Sequence, residues 1–368
     1  MNLLLISSGI GLASVYGSDG ANQVQEKLAQ TAQALKGVGR ILASTAFSGS
    51  IPPAAPDAPT LYAELKTFVS QQGSAIDPGS SCLLIVGDQR IVPGFQVANP
   101  VTDRSLDPDL TVLTDSPYGQ FDWLSPEQCV QPPYAVGRLA AGVGDSAAAL
   151  CALLDSLVEL HQQPKSRTGY VEITSRQWQD TSASVLALQA SPAQVIVSPD
   201  GRVSAANASV LDCKFLYCNL HGFLNDAAWS GYDQGLSYPV PAVTPDAFLA
   251  QFVSGTVVFT EACYGLATSG KKTASSNALS LLAAGAAAVI GSTGLAYGTA
   301  TVKPQDLIDA DVLARTFFNT AAGTGATPGQ CLQQARSALR ASDSSSNAFV
   351  TKTLLAFQLL GDPSYAIH

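Results

Sequence analysis

Residues 215–222 read FLYCNLHG, and residues 257–265 read VVFTEACYG. Each is a short, uncharged apolar run that stops at polar residues: His221-Gly222 in the first, Glu261-Ala262-Cys263 in the second. Unbroken apolar runs of this length are the pattern of strands buried on both faces of a parallel sheet. In open α/β sheets, active sites form at the C-terminal edge of such strands. A cysteine and a histidine at that edge of two strands can meet. Imidazole can take the thiol proton and later protonate a leaving group near neutral pH. Gly222 lets the chain turn sharply, and its N–H together with that of Cys263 can form an oxyanion hole. Singly, each residue has a plainer explanation, since a buried cysteine usually serves as a small hydrophobe. The matching contexts of the two favour a catalytic pair.

Outward from these runs the chain alternates strands and helices. Strands are expected at Leu3–Ile6, Cys82–Val86, Tyr170–Thr174, Gln194–Ser198, Lys214–Leu220, Thr256–Thr260 and Ala287–Ile290. Helices are expected at Asn22–Leu35, Leu61–Gln72, Asp145–Gln162 with Asp145 as its cap, Ser182–Gln189, Pro245–Phe252 and Ser276–Ala284. Three more close the chain, near Leu307–Asn319, Pro328–Ala341 and Asn347–Leu359. Residues 48–59 read as a Pro-rich connector, and 93–132 as a long irregular loop of functional type. The alternation predicts an α/β fold, a mostly parallel sheet with helices on both faces.

The chain has 368 residues, of which 46% are hydrophobic and 13% charged. Such a composition excludes disorder. A single core rarely grows beyond roughly 250–300 residues, so two subdomains or one long sheet with two cores are expected. The division is drawn between a non-catalytic subdomain at 1–140 and a catalytic one at 141–368. The net charge is −9 and no basic cluster occurs, which sets nucleic acid aside as a partner. The longest apolar stretch, 278–291, is shorter than the roughly 20 residues of a membrane span. The opening MNLLLISSG reads as a first strand rather than a signal peptide. Seven scattered cysteines, an odd number, argue for free thiols and a cytoplasmic protein.

Other chemistry is weaker. Gly265–Lys271 nearly spells a phosphate-binding loop, but Lys272 stands where a magnesium-holding hydroxyl is needed. Cys213, Cys218 and His221 are spaced so that they point to opposite strand faces, which disfavours zinc. His161 falls late in a helix, and His368 is the last residue.

Strand-His-Gly followed some forty residues later by strand-Glu-Ala-Cys-x-Gly resembles the clan of caspase-like cysteine peptidases, and within it the gingipain (C25) family. Four more segments carry the likeness: LLIVGD at 83–88, TDSPYG at 114–119, AVGRL at 135–139 and LLGDPSYAI at 359–367. The resemblance implies a caspase/gingipain-like fold and a cysteine endopeptidase cleaving protein or peptide substrates after Arg or Lys. His221 is then the base and Cys263 the nucleophile, with Gly222 and Cys263 supplying the oxyanion hole. Trp229 matches a tryptophan of the family. Ser292 and Thr293 match the strand lining the P1 side chain, and Tyr297 falls near an aromatic covering that pocket. Asp180 aligns with the acid at the base of an arginine-specific S1 pocket; a helix N-cap is its alternative role. The acid that orients the histidine in some gingipains falls near 175–177, where no carboxylate stands. A Cys–His dyad is therefore expected, with Glu172 as the alternative third member.

Lys271 and Lys272 lie in GLATSGKKTASS, the interval cut in caspases and clostripain, and are the expected self-cleavage site. No cofactor is expected. Calcium, required by some clan members, stays open, as does the oligomeric state. Competing readings are a peptidase of other specificity resembling the CHAT family, and a catalytically silent caspase-like module that binds a partner.

Overall fold

The strands that carry the two motifs lie side by side, in parallel, near one end of a long sheet. The computed structural model describes residues 2–42, 57–73, 76–122, 125–189, 194–251, 253–299, 307–323, 325–342 and 347–367. Most of the connector expected at 48–59 lies outside the described residues, as does His368. The strands are β1 (Asn2–Ser8), β2 (Val38–Leu42), β3 (Ser81–Val86), β4 (Phe95–Ala98), β5 (Thr111–Thr114), β6 (Ala135–Leu139), β7 (Tyr170–Ser175), β8 (Gln194–Ser198), β9 (Phe215–Asn219), β10 (Trp229–Gly231), β11 (Val240–Val243), β12 (Val257–Thr260), β13 (Ala288–Ser292) and β14 (Phe357–Gly361). The helices are α1 (Gly9–Ala34), α2 (Ala58–Gln72), α3 (Ala147–Gln162), α4 (Gln179–Val185), α5 (Pro245–Leu249), α6 (Asn277–Ala283), α7 (Asp309–Ala321), α8 (Pro328–Ser342) and α9 (Ala348–Ala356).

Ten strands form one sheet in the order β2-β1-β3-β6-β14-β13-β12-β9-β7-β8. Every neighbouring pair is parallel except β13 and β14. The sheet is thus two parallel halves of five strands, joined at one antiparallel seam. Successive side chains of a strand point to opposite faces, and in the catalytic half they enter two separate cores. Leu216 and Cys218 pack in one with Phe248, Leu279 and Leu282; Phe215 and Tyr217 pack in the other with Phe317 and Phe318. Burial on both faces explains why these strands read as unbroken apolar runs.

Several elements depart from expectation, among them β2, β6, β10 and β11, which the sequence pattern did not show. Helix α1 begins at Gly9 instead of Asn22, capped by Ser8, whose hydroxyl accepts the Gly11 N–H at 3.1 Å, and kinked at Gly17, where φ is 71°. The tract 93–132 contains the β4–β5 hairpin, so it is not irregular throughout. Asp145 does not cap α3, which starts from Ser146; its carboxylate accepts the Gly142 N–H and the Thr273 hydroxyl instead. The last helix stops at Ala356, and the chain continues directly as β14.

Around the seam, segments that stand far apart in sequence converge. Arg138 of β6 is buried and grips Asp115 with two bonds, Nε to Oδ2 at 2.7 Å and Nη2 to Oδ1 at 2.6 Å. Its Nη1 donates to the carbonyls of Gly87 at 2.8 Å and Val92 at 2.9 Å. The Asp115 N–H in turn donates to Gln358 of β14. Removing one member of a buried ion pair strands the other. Arg138→Leu is therefore expected to cost roughly 3–5 kcal/mol of stability, read as a lowered urea midpoint at unchanged slope. Arg138→Lys should rescue little, because one ammonium cannot reproduce the bidentate fork. A midpoint near wild type for either variant would show that the pair does not hold β14 against β6.

Candidate active site

His221 leaves the end of β9 and is fixed by an antiparallel bridge to β10. Its N–H donates to the Ser230 carbonyl at 2.7 Å, and the Ser230 N–H returns to the His221 carbonyl at 2.8 Å. Cys263 follows β12. Tyr264 after it adopts a left-handed conformation, φ 57°, uncommon for a non-glycine residue, and its N–H donates to the Gly294 carbonyl at 2.8 Å. Gly222 is where the motifs touch: a Cβ there would lie 2.0 Å from the Cys263 carbonyl oxygen. No other residue fits that approach, so the glycine brings the histidine and cysteine turns into contact.

Both residues line one cavity of about 270 Å³, with Glu261, Tyr297 and Asp311. Glu261 accepts the Tyr217 hydroxyl at 2.5 Å and shares a hydrogen bond with Asp311, from the first turn of α7. Burial is the main force raising the pKa of both acids, and for Glu261 the neighbouring Asp311 adds to it. A hydrogen bond between two carboxyl groups requires a shared proton.

The Cys263 thiol sits against the turn after β13, where the Ala296 N–H donates to Sγ at 3.4 Å. Burial pushes its pKa up, while that N–H and the Lys352 charge pull the other way. Burial lowers the pKa of His221. The resting pair is therefore neutral thiol and neutral imidazole. The His221 ring lies 4.4 Å from the Trp178 ring, and its Nε2 is 2.7 Å from the amide of Gln177. Cys263 is also the one cysteine of the seven that is not fully buried, and all seven are free.

The turn over the thiol is anchored from the other half of the sheet. Lys352 of α9 is buried and pairs with Asp107 and, at 2.8 Å, with Asp109. Asp107 accepts the Tyr297 hydroxyl at 2.5 Å; Asp109 accepts the Tyr264 hydroxyl at 2.7 Å and the Leu295 N–H at 2.9 Å. Burial pushes the Asp107 pKa up, but the bonds from Lys352 and Tyr297 outweigh it, and the net direction is down. The two acids come from the tract whose sequence promised only a loop.

The remaining residues singled out by sequence are distributed as follows. Tyr297 lines the cavity. Trp229 is buried in β10 edge-on to Phe248, with a small crevice joining it to Cys263. Ser292 is buried and closes its own turn through Gly294, and Thr293 donates to the Leu113 carbonyl at 2.7 Å. Neither lines the cavity. Asp180 lies exposed in the first turn of α4, away from the cavity wall. Its place as the acid facing the cavity is taken by Asp311 and Glu261. Glu172 makes no bond to His221; it is buried in β7, its Oε1 has no partner, and burial pushes its pKa up to about 7. Lys271 is half-buried and Lys272 exposed. Sequence reading passed over Gln177, Trp178 and Asp311. Glu261 stood inside the quoted motif, and its position two residues before Cys263 was the available signal. Among the described residues no group of three potential ligands could hold a metal, and no helix is long and apolar enough to cross a membrane.

Residues 215–368 match the model of peptidase family C25. The matched span contains both motifs and the acid pair. The whole chain superposes on the Arg-specific cysteine proteinase gingipain R (RgpB) with a TM-score of 0.63 and 14% identity, over 78% of that chain. The complex of Porphyromonas gingivalis RgpB pro- and mature domains gives 0.63 and 13%, over 80% of that chain, and a further protease structure 0.64 and 14%, over 78%. No curated protein sequence matches. At such identities the structural likeness is one of fold, a mostly parallel gingipain-like sheet. With that fold around it, the match over residues 215–368 supports a caspase-like cysteine peptidase, a hydrolase.

The contact at Gly222 makes a direct test of the site's geometry. Gly222→Ala should push the Cys263 carbonyl away and lower kcat by about 10²–10³-fold, the scale of losing one oxyanion-hole donor. Circular dichroism should stay at the wild-type level. Turnover unchanged by the added methyl would mean that the two turns need not touch.

Proposed function

We propose that the protein is a cysteine endopeptidase that cleaves after basic residues through a Cys263–His221 dyad. The observation that carries this reading is the cavity beside the thiol, closed by the paired acids Glu261 and Asp311. A P1 guanidinium or ammonium entering it meets two carboxyl groups and displaces their shared proton. The thiol proton passes to His221 as sulfur attacks the scissile carbonyl. The resulting oxyanion is held by the N–H groups of Gly222 and Cys263, and the imidazolium then protonates the leaving amine. Water completes the cycle by hydrolysing the acyl-enzyme. The substrate is a protein or peptide. Seven free thiols, six of them buried, support a reducing compartment, and the proposed place of action is the cytoplasm.

Fluorogenic Arg and Lys amides test this with four variants. Cys263→Ala and His221→Ala should each remove turnover. Asp311→Asn should weaken kcat/KM on basic substrates by roughly 2–5 kcal/mol, as for one partner of a buried charge pair, while Asp180→Asn leaves it unchanged. Because the pKa values of both acids are raised, the pair holds its proton to a higher pH than free carboxylates would. Preference for basic over neutral P1 should therefore strengthen as pH rises. A library profile favouring acidic or aliphatic P1 would refute the pocket assignment.

We propose in addition that the enzyme cuts its own chain after Lys271 or Lys272. The Lys271 carbonyl accepts the Val143 N–H at 2.8 Å, and Thr273 is tied to Asp145 at 2.6 Å, so this segment must detach before it can lie extended in a cleft. Asp145→Ala should accelerate the cut and Cys263→Ala should prevent it, followed by mass spectrometry of the fragments. A cut that persists in Cys263→Ala, or full activity in uncut wild type, would dismiss self-processing.

A further inference from the structure

We infer that Gln177 is the positioning residue of His221, a neutral amide that fixes which imidazole nitrogen serves as the base. The inference rests on the dyad reading above and concerns the Nε2 side of the histidine ring.

Gln177 lies in the single 3-10 turn Arg176–Trp178 that follows β7, the strand next to β9. That register brings its side chain over the end of β9, 2.7 Å from Nε2 of His221. The imidazole has little other freedom. Its backbone is bridged to Ser230 on both sides, Trp178 packs at 4.4 Å, Tyr232 meets it edge-on at 6.2 Å, and Phe223 stacks at 6.4 Å. Rotation of the ring is the remaining motion, and the Gln177 bond arrests it.

With Nε2 engaged, Nδ1 is the nitrogen left to take the thiol proton. The amide nitrogen of Gln177 stands toward the ring; a half-turn, which exchanges the two ends of an amide without moving any neighbour, presents the carbonyl there instead, and that orientation is the one proposed. With the carbonyl toward the ring, Nε2 carries the proton and Nδ1 keeps a free lone pair. The proton leaving Cys263 Sγ then adds to Nδ1, and the imidazolium so formed donates through Nε2 to Oε1 of Gln177. Later the same proton leaves Nδ1 for the amine, and the ring returns to its starting tautomer. No proton passes to Gln177 at any step.

The groups around the ring make the amide distinct from a carboxylate. Tyr232 meets the ring edge-on, and Cys263 shares its cavity. The acids Glu261 and Asp311 line the cavity wall and bond each other. Arg176, beside Gln177, is turned to Asp200 and Asp233. Glu172 on β7 does not reach the ring. No carboxylate bonds the imidazole among the described residues, in keeping with the lowered pKa of His221. The base is thereby kept neutral to lower pH than an acid-paired histidine, which a neighbouring anion would hold protonated.

The test compares wild type, Gln177→Ala, Gln177→Glu and His221→Ala on a fluorescent casein substrate, with kcat/KM followed across pH. A casein substrate removes dependence on the P1 assignment. Gln177→Glu is expected to keep activity within several-fold and to move the acidic limb upward by about one pH unit or more. Gln177→Ala is expected to lower kcat at least tenfold with KM little changed. The tautomer is read independently by 15N NMR of His221, assigned by its loss in His221→Ala. Wild type should carry the proton on Nε2, and Gln177→Ala should show a mixture. An acidic limb that stays in place in Gln177→Glu, or an unchanged tautomer in Gln177→Ala, overturns the inference while leaving the dyad intact. Activity retained in His221→Ala would instead bring down the dyad itself.

Discussion

A single buried guanidinium fastens β14, the strand that meets the second half-sheet, to the half-sheet it belongs to. Arg138 spends its donors on Asp115 and on the carbonyls of Gly87 and Val92, which stitches β3, β6 and the segment after β5 into one unit. Asp115 passes the link to Gln358, so β14 is fastened to the same point. A parallel strand pair offers only evenly spaced backbone bonds, and here β6 and β14 align over a short register. The bidentate fork supplies the specificity that the backbone lacks there. Three segments scattered along the chain, VGD, TDSPYG and AVGRL, meet at this junction, and a fourth, LLGDPSY, begins one residue after Gln358. Asp362, in the last of them, caps Ser364 and pairs with His161 at 2.6 Å, so it too has a structural occupation.

The catalytic half does not build its site alone. The turn that donates Ala296 N–H to the thiol hangs from Asp107 and Asp109, which stand beside the β4–β5 hairpin of the other half. Lys352 neutralises both acids from beneath, and its charge also acts on Cys263. One buried cation thus holds the wall of the cavity and tempers the nucleophile. Thr293 adds a second tie across the seam through Leu113. Both halves of the sheet take part in the superposition with gingipain R, which covers the whole chain.

Much of this was legible in the sequence, and the exceptions share a cause. Motifs at strand ends showed the cysteine and histidine because their neighbours in sequence are also their neighbours in space. Strand β14 was hidden in AFQLLG, an apolar run that reads as helix; only pairing with β13 and β6, distant in sequence, makes it a strand. Strand β2 carries Gly39 and Arg40 at an exposed sheet edge, where apolar patterning fades. The start of α1 reads as a turn because of its glycines, yet Gly11 is there for packing: a Cβ would lie 2.2 Å from the Ile91 carbonyl. Asp311 and Lys352 reach the site from helices with no periodic signal for it. Gln177 stood at the position searched for an acid, and an amide was not considered.

The antiparallel seam bears on how such a chain is made. Among the described residues β14 follows every other strand in order of synthesis, yet it occupies the middle of the sheet. Until it emerges from the ribosome, β6 and β13 each present an unpaired edge, with backbone groups ready to join any other strand. Long-range pairing of this kind is slow to form, so nascent chains should depend on holding chaperones at this stage. Lys352, which pairs with the two acids anchoring the cavity wall, is made only just before β14, so the wall and the middle of the sheet are completed at nearly the same point of synthesis.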